Sequence, residues 1–218
     1  MTDFEGREIV CVRGGRRVFE GLDFALAAGG ALVLTGPNGS GKSSLLRLMA
    51  GLLAPAAGTL SWGGAPIAEN LEAHRGRLHY LGHLDAVKPV LTARENLAFW
   101  AGLNGGEPDN VDVALDRFGL GPLANTPGRL LSAGQKRRLA LARLLVAPAD
   151  LWLLDEPTVG LDRDSLDRLA GTVAAQRAGG GRIVVATHAP LDLADAQTLR
   201  LDRFAVAPPE ADTLELVF

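Results

Sequence analysis

The chain has 218 residues, of which 47% are hydrophobic and 22% charged, and it carries a formal net charge of −3 at pH 7. This length suits one large domain with a well-buried core, and the slightly acidic balance argues against a nucleic-acid partner, since a polyanion usually demands a basic face. The single cysteine, Cys11, can form no disulfide within the chain, which predicts a reducing compartment.

Neither a secretory signal nor a membrane span is predicted. The first residues are charged and contain no apolar segment of the kind that a signal peptide needs. Two long uncharged stretches, 24–41 and 48–68, contain glycines and prolines that interrupt any continuous apolar helix. The sequence therefore predicts a cytoplasmic protein, so any function at a membrane would need another subunit to supply the spans.

The chain opens on an alternating pattern that is typical of strands. Residues 9–12 and 18–19 are mainly apolar and flank a Gly14-Gly15 turn. This pattern predicts part of an antiparallel sheet.

A glycine-rich turn follows, between an apolar run at 31–35 that predicts a buried strand and residues 44–50, whose spacing predicts a helix. Glycines let successive backbone N–H groups point at a phosphate chain, and the helix start adds its positive dipole end. In this pattern the lysine, Lys42, reaches the β- and γ-phosphates and the hydroxyl of Ser43 ligates Mg²⁺. A chance lysine in an ordinary turn would not explain the flanking strand and helix. The predicted nucleotide-binding residues are Gly36, Pro37, Asn38, Gly39, Ser40, Gly41, Lys42, Ser43 and Ser44.

The middle of the chain changes from strand to helix patterns. Residues 58–64 and 77–81 predict strands, whereas 93–102 and 110–118 predict helices. The region 90–147 therefore looks like a mostly helical insertion between strands of an α/β core.

A further helix is predicted to begin at Ser132 and to continue to about residue 146. Ser132 and Gln135 have the spacing of a capping box. A capped amphipathic helix is one explanation, but a helix start that contains a glycine, here Gly134, is also an anion site. Because the phosphate loop needs no second anion site, the expected target is a phosphate bound by a partner chain.

Two carboxylates, Asp155 and Glu156, end the apolar run 151–154. Ligands of an α/β sheet lie at the carboxyl ends of its strands, so beside a phosphate loop we expect Asp155 to hold Mg²⁺, directly or through water, and Glu156 to polarise the attacking water. Alone, such a pair would be structural. His188 ends a predicted strand, 182–188, and should lie on the same sheet edge as Glu156, where we expect it to act as a catalytic residue that helps to neutralise the charge of the phosphates.

Taken in order, these motifs resemble the nucleotide-binding subunits of ATP-binding-cassette (ABC) proteins over essentially the whole chain. Residues 131–135 are similar to the family signature, with alanine at 133 where glycine is commoner, and 159–162 resemble the loop that contacts a second subunit. The resemblance implies an α/β, P-loop NTPase fold of ABC type, with a mixed sheet core, an antiparallel β subdomain and a helical subdomain within one domain over 1–218. ATP and Mg²⁺ are the implied cofactors.

Within that family, residues 11–13, 80–83, 131–138 and 151–152 look like the ATP-binding subunit of haem exporters in cytochrome c biogenesis. This resemblance implies ATP hydrolysis coupled to transport at the cytoplasmic face of the bacterial inner membrane, as a peripheral protein, with integral membrane permease subunits as partners. It also implies a head-to-tail homodimer that sandwiches two ATP, each between one phosphate loop and the other chain's signature residues Ser132, Gly134 and Gln135. An ABC transporter with another cargo and a soluble, non-transport ABC ATPase remain open; a P-loop kinase would leave the signature helix unexplained.

Two positions depart from the general ABC pattern. Arg13 stands where an aromatic residue usually stacks on adenine, so either its guanidinium stacks on the base or the base is held loosely. His83 stands where a glutamine usually links Mg²⁺ and the attacking water to the membrane subunit. A neutral imidazole can ligate a metal, so we expect a catalytic and metal-binding role for His83; the alternative is that it merely closes a turn.

An apolar stretch from residue 84 to 103 is expected to form a groove that receives a helix of the membrane subunit. The predicted lining residues are Val87, Leu91, Phe99 and Trp100. The alternative is that these side chains belong to the core of the helical insertion.

Overall fold

The computed structural model describes residues 3–188 and 193–206, which contain two sheets and a set of helices. The strands are β1 (Phe4–Arg13), β2 (Arg16–Leu26), β3 (Ala31–Thr35), β4 (Ala57–Trp62), β5 (Ala65–Pro66), β6 (Leu78–Leu81), β7 (Leu151–Asp155), β8 (Arg182–Ala186) and β9 (Gln197–Arg200). The helices are α1 (Lys42–Met49), α2 (Leu71–Gly76), α3 (Ala93–Leu103), α4 (Asn110–Arg117), α5 (Ala133–Ala142) and α6 (Arg163–Ala178). Short 3₁₀ turns occupy Ile67–Glu69, Gly121–Leu123, Gly128–Leu130, Arg143–Leu145 and Leu201–Phe204.

The predicted α/β fold is confirmed, and parallel and antiparallel pairing are divided between the two sheets. The core sheet has the order β6-β7-β8-β3-β9 and all its pairs are parallel. The second sheet, β2-β1-β4-β5, is antiparallel and includes the predicted hairpin around Gly14-Gly15. Because β3, β8 and β7 are neighbours and run in the same direction, the turns that follow them meet at one edge of the sheet.

Each face of the core sheet carries its own apolar cluster, because successive side chains of a strand point to opposite faces. Leu151 and Leu153 of β7 pack with α1 and the antiparallel sheet, whereas Trp152 and Leu154 pack with α3, α4, α5 and α6. All five residues of β7 are buried, as expected for a strand covered on both faces. The helices between β6 and β7 thereby share a core with the sheet that carries the site.

Several boundaries differ from the prediction for local reasons. Helix α5 ends at Ala142 and continues as a 3₁₀ turn, and β8 ends at Ala186, two residues before the predicted end at His188. Helix α2 was not predicted, because six residues are too few to show a helical period; its first turn is held by Asn70, whose side chain accepts from the N–H of Ala73. The sequence also predicts short strands and a Pro208-Pro209 pair at about 199–218, of which only residues 199–206 lie within the described part of the chain.

None of the helices in the described part of the chain is both long enough and apolar enough to cross a bilayer.

Two histidines, His74 on α2 and His79 on β6, should make the stability of the fold sensitive to acid. His74 Nε2 lies 2.7 Å from the carbonyl oxygen of Met49, and His79 Nε2 lies 2.9 Å from that of Ala147. Burial lowers the pKa of both imidazoles below 6.5, with nearby arginines acting in the same direction. The folded state therefore favours the neutral rings, and the stability that this provides is present above pH 6.5 and is lost as the pH falls below it.

We expect the free energy of unfolding, measured with urea, to fall below pH 6.5 by up to about 1.4 kcal/mol per pH unit for each histidine. His79→Gln keeps an N–H donor for Ala147 but cannot titrate. The free energy of unfolding of the variant should therefore depend less steeply on pH, by the contribution of one histidine. An unchanged slope in the variant would contradict the assignment of His79.

Candidate active site

A cleft of about 680 Å³ lies at the shared edge of the core sheet and collects most of the predicted site residues. Its volume is within the range of small-molecule sites in proteins. It is lined by Arg13, Val18, Asn38, Gly39, Gly41, Lys42, Ser43, Ser44, His83, Asp155, Glu156, Val159 and His188. Asn38 and His188, which are 150 positions apart in the chain, thus meet because β3, β8 and β7 end side by side.

The turn between β3 and α1 has the features of an anion site. Gly41, the residue before α1, has φ of 97° and no side chain to cap the helix, so the first N–H groups of α1 are left for a ligand. Lys42 is buried, and its Nζ donates to the carbonyl oxygens of Gly36 at 2.8 Å and Pro37 at 3.2 Å. The cation is therefore already held against the loop that would surround a phosphate.

Close packing explains why this loop needs glycine. A Cβ on Gly41 would lie 2.8 Å from the Phe19 ring and from Val18, and one on Gly36 would lie 2.8 Å from Ser40 Oγ. Ser40 itself is buried, and its hydroxyl has no hydrogen-bond partner among the residues that the structure describes. An uncapped helix start, a buried cation and an unpaired buried hydroxyl fit a triphosphate group.

Asp155 is the last residue of β7, Glu156 follows it directly, and both line the same cleft. Asp155 is only 3% exposed, and a carboxylate in that position is the hard oxygen ligand that Mg²⁺ prefers. Glu156 has a left-handed backbone, with φ of 48°, which is uncommon for a residue other than glycine and typical of functional sites. Together, the two carboxylates therefore fit a site of metal-assisted phosphoryl transfer better than a purely structural role.

His188 contacts Glu156 in two ways. Its backbone N–H donates to Glu156 Oε2 at 3.2 Å, and its Nε2 lies 3.6 Å from Glu156 Oε1. The expectation that these residues share one sheet edge is met in the structure, although His188 lies just beyond β8 rather than within it.

Arg137, which was not predicted as a site residue, contacts the backbone of both carboxylates. Its Nη2 donates to the carbonyl oxygens of Asp155 at 3.2 Å and Glu156 at 2.5 Å, and its Nη1 donates to Asp85 Oδ1 at 2.9 Å. A signal was available, because Arg137 precedes Leu141 and Leu144 by four and seven residues and therefore falls on the apolar face of α5. A charged side chain on that face requires a buried partner.

Arg13 and His83 both line the cleft and are exposed. Arg13 ends β1 beside the Gly14-Gly15 turn, and His83 follows β6. Their positions are compatible with contacts to a base and to a metal, respectively, and these roles stay predictions.

The signature residues lie outside this cleft, at the start of α5. The predicted capping box is present: Ser132 Oγ accepts from the N–H of Gln135 at 3.2 Å, and Gln135 Oε1 accepts from the N–H of Ser132 at 2.8 Å. Gly134 lies against the loop after β7, where an added Cβ would be 3.4 Å from the carbonyl oxygen of Gly160. One chain alone therefore does not bring Ser132, Gly134 and Gln135 to its own phosphate loop.

Comparison with known proteins matches this chain to the family that its motifs resemble. The ABC transporter family matches residues 19–159. The cytochrome c biogenesis ATP-binding export protein CcmA of Rhodospirillum rubrum is 60% identical over 213 residues, covering 98% of this chain and 91% of that protein. The protein of the same name from Paramagnetospirillum magneticum is 60% identical, covering 95% of this chain and 98% of that protein.

Solved structures show the same fold. A bacterial Atm1-family ABC exporter with ATP bound matches with a TM-score of 0.82 and 27% identity, over 94% of this chain and 38% of that chain. A putative ABC transporter ATP-binding protein from Pyrococcus furiosus matches with a TM-score of 0.82 and 24% identity, over 94% of this chain and 100% of that chain.

Proposed function

This chain belongs to the ABC transporter family and is an ATPase of that family, and we propose that it drives an export complex of cytochrome c biogenesis whose cargo is haem. The observation that carries the proposal is 60% identity, over nearly the full length, to proteins named for ATP-binding export in cytochrome c biogenesis. The cleft supports it, because the phosphate loop, two carboxylates and His188 line one cavity. The assignment of haem as the cargo rests on the resemblance to haem exporters.

Phosphoryl transfer depends on positioning and on neutralising charge rather than on covalent chemistry. Ser43 and Asp155, with His83 as a further ligand, would hold Mg²⁺, which supplies positive charge to the phosphate oxygens when it is bound. Lys42 adds a second positive charge beside the loop. Glu156 would orient or deprotonate the attacking water, while the backbone N–H of His188 keeps its carboxylate in place.

ABC ATPases work in pairs and with membrane subunits, and for this chain we propose a head-to-tail homodimer that sandwiches two ATP. Support comes from the position of the signature residues, since Ser132 and Gly134 are exposed or half-buried and lie away from the cleft of their own chain. In the proposed dimer the N–H groups at the start of α5 that the capping box does not use would meet the γ-phosphate that is bound by the other chain. The complex would lie at the cytoplasmic face of the inner membrane, with this chain as a peripheral subunit.

A second cavity, of about 400 Å³, is the proposed site for a segment of the membrane subunit. Its lining comes from the residues that follow α1, from α2 and β6, from the end of α3 and from the turn after α5: Ala50, Leu52, Arg75, Leu78, His79, Tyr80, Trp100, Leu103, Asn104, Arg143 and Leu144. We call this cavity the docking groove. Leu52 and Leu103 are 55% and 64% exposed at its rim, which is a large exposure for apolar side chains and supports a partner that covers them.

The four residues predicted to line a groove for the membrane subunit do not all line the docking groove. Trp100 lines the docking groove, but Val87 packs against the core and Leu91 is half-buried outside the groove. Phe99 is turned toward Lys88, whose Nζ lies 4.5 Å from the ring centre. The difference arises because consecutive residues of a helix point in different directions, so Phe99 and Trp100 cannot share one face.

The test of the proposed function is co-purification of this protein from gently solubilised membranes of its own source, with and without ATP. A haem-handling permease among the captured proteins would support the full proposal. A permease for another compound would retain the ATPase function and reject haem, and capture of no membrane protein would favour a soluble ABC ATPase.

Leu103→Asp should abolish capture of the membrane subunit and leave ATP hydrolysis by the isolated chain unchanged. A carboxylate at the rim of the docking groove would have to be buried unpaired against an apolar partner segment, which costs several kcal/mol, roughly 2–5. Val113→Asp is the matched control, because Val113 is also 64% exposed but lies on α4, outside the groove. Equal capture by both variants would show that the partner binds elsewhere.

A further inference from the structure

A continuous set of contacts joins the docking groove to the carboxylate that would activate water. Arg137 lies at its centre: the side chain is 7% exposed, its Nη1 forms an ion pair with Asp85 at 2.9 Å, and its Nη2 donates to the backbone of Asp155 and Glu156. One guanidinium therefore ties together α5, the loop after β6 and the end of β7. Its planar, forked donors suit this arrangement in a way that a lysine ammonium does not.

The next contact leads from Asp85 to the docking groove. Arg143 Nη1 donates to the carbonyl oxygen of Asp85 at 3.0 Å, and the same guanidinium lies 4.0 Å from the centre of the Trp100 ring. Both Arg143 and Trp100 line the docking groove. Burial lowers the pKa of Arg143 to about 10, which leaves it charged at neutral pH. A partner segment in the groove would thus touch Arg143, which holds the Asp85 backbone, and Trp100, against whose ring the Arg143 guanidinium packs.

The other end of the set is the peptide of Glu156. Its N–H donates to the carbonyl oxygen of Ala186 at 2.8 Å, and its own carbonyl oxygen accepts from Arg137 at 2.5 Å and from the N–H of Val159 at 3.3 Å. Glu156 itself has the left-handed φ of 48°, a conformation that persists only where its surroundings hold it. A shift of Arg137 would release the shorter of the two bonds to this carbonyl oxygen and let the Glu156 side chain turn away from His188 and the attacking water.

We propose that Arg137 and Asp85 form a positioning pair through which the docking groove, acting on Arg143, sets the position of Glu156. The inference rests on the proposed function, because it concerns control of the same ATPase site. Arg137 does not line the cleft and reaches it only through the backbone carbonyl groups of Asp155 and Glu156, so its effect should appear in the rate of the chemical step and not in nucleotide binding. Contact alone does not demonstrate energetic coupling, which a double-mutant cycle measures directly.

The experiment compares kcat and KM for Mg-ATP in the full chain carrying Asp85→Asn, Arg137→Lys, both changes together, or Arg143→Lys. Arg137→Lys keeps the buried charge but cannot bond Asp85 and both carbonyl groups at once. We expect each single variant to lose roughly 10-fold to 100-fold in kcat, in keeping with the cost of slightly misplaced catalytic groups, while KM stays within about twofold. The double variant should be no slower than the slower single variant.

Arg168→Met is the control, because Arg168 also joins two elements through a guanidinium bond, to the carbonyl oxygen of Arg117 at 3.0 Å, but lines neither the cleft nor the docking groove. It should keep the wild-type kcat, and thermal melting curves should show that all variants fold. Wild-type kcat in Asp85→Asn or Arg137→Lys, or losses that multiply in the double variant, would overturn the positioning pair alone. A wild-type chain without ATP hydrolysis would overturn the proposed function and this inference together.

Discussion

Glu156→Gln should bind Mg-ATP normally, hydrolyse it at least ~100-fold more slowly and accumulate as an ATP-bound dimer, because general-base assistance typically contributes roughly 10²–10⁴ in rate. The amide keeps nearly the shape of the carboxylate, and its oxygen can still accept from the backbone N–H of His188. The phosphate loop and Lys42 are unchanged, so the free energy of nucleotide binding should be unaffected. Without hydrolysis, nothing removes the γ-phosphate that would join the two chains.

Single-turnover kinetics would measure the loss of rate, fluorescent nucleotide titration would measure binding, and size-exclusion chromatography with ATP would measure dimerisation. Glu72→Gln is a suitable control, since it makes the same chemical change on α2, in an exposed position outside the cleft. Near-normal turnover in Glu156→Gln would assign the activation of water to another group. Loss of nucleotide binding would instead indicate that Glu156 helps to hold the metal.

Gly134→Asp should abolish hydrolysis, with a loss of ~100-fold or more, while each chain still binds ATP at its own phosphate loop. In the proposed dimer, the new carboxylate would face the γ-phosphate of the other chain's nucleotide, where donors normally stabilise negative charge and where losing one donor costs about 10²–10³ in rate. The fold should tolerate the change, because an added Cβ meets only the Gly160 carbonyl oxygen at 3.4 Å. An aspartate in the first turn of a helix is itself favourable.

Gly134→Asn is the matched control, since it has the same shape without the charge, and it should retain much more activity. Mixing Gly134→Asp chains with Lys42→Ala chains would test whether the site is shared. Each mixed dimer contains one site with an intact phosphate loop and an intact signature, so hydrolysis should reappear on mixing. Two inactive variants that stay inactive together would argue that each chain completes its own site.

Much of the site could be predicted because its motifs depend on residues that are neighbours in the chain. A glycine-rich turn between a strand and a helix positions Lys42 and Ser43 through backbone geometry alone, and the capping box at Ser132 and Gln135 depends on the i, i+3 spacing of one helical turn. The strand that ends at Asp155 could be recognised from its uninterrupted apolar run.

Other features could not be predicted, because they depend on contacts between distant elements. The docking groove requires α3 to lie across from α1, α2 and β6, so the sequence could not distinguish Trp100, which lines it, from Phe99, which does not. Arg137 was visible as a charge on an apolar helix face, but its partners lie 18, 19 and 52 residues away along the chain.

The sequence by itself determined the local chemistry of this protein: a phosphate loop, a pair of carboxylates, a capped signature helix and the order in which they occur. Only the tertiary structure decided that Lys42, Glu156 and His188 share one cleft, that the signature residues lie outside it, and that Arg137 connects Glu156 with Asp85. The physical reason is that turn and capping geometry is set by covalent neighbours, whereas the meeting of strand ends is set by the order of strands in the sheet. That order depends on burying both faces of the sheet at once, which no short stretch of the chain encodes.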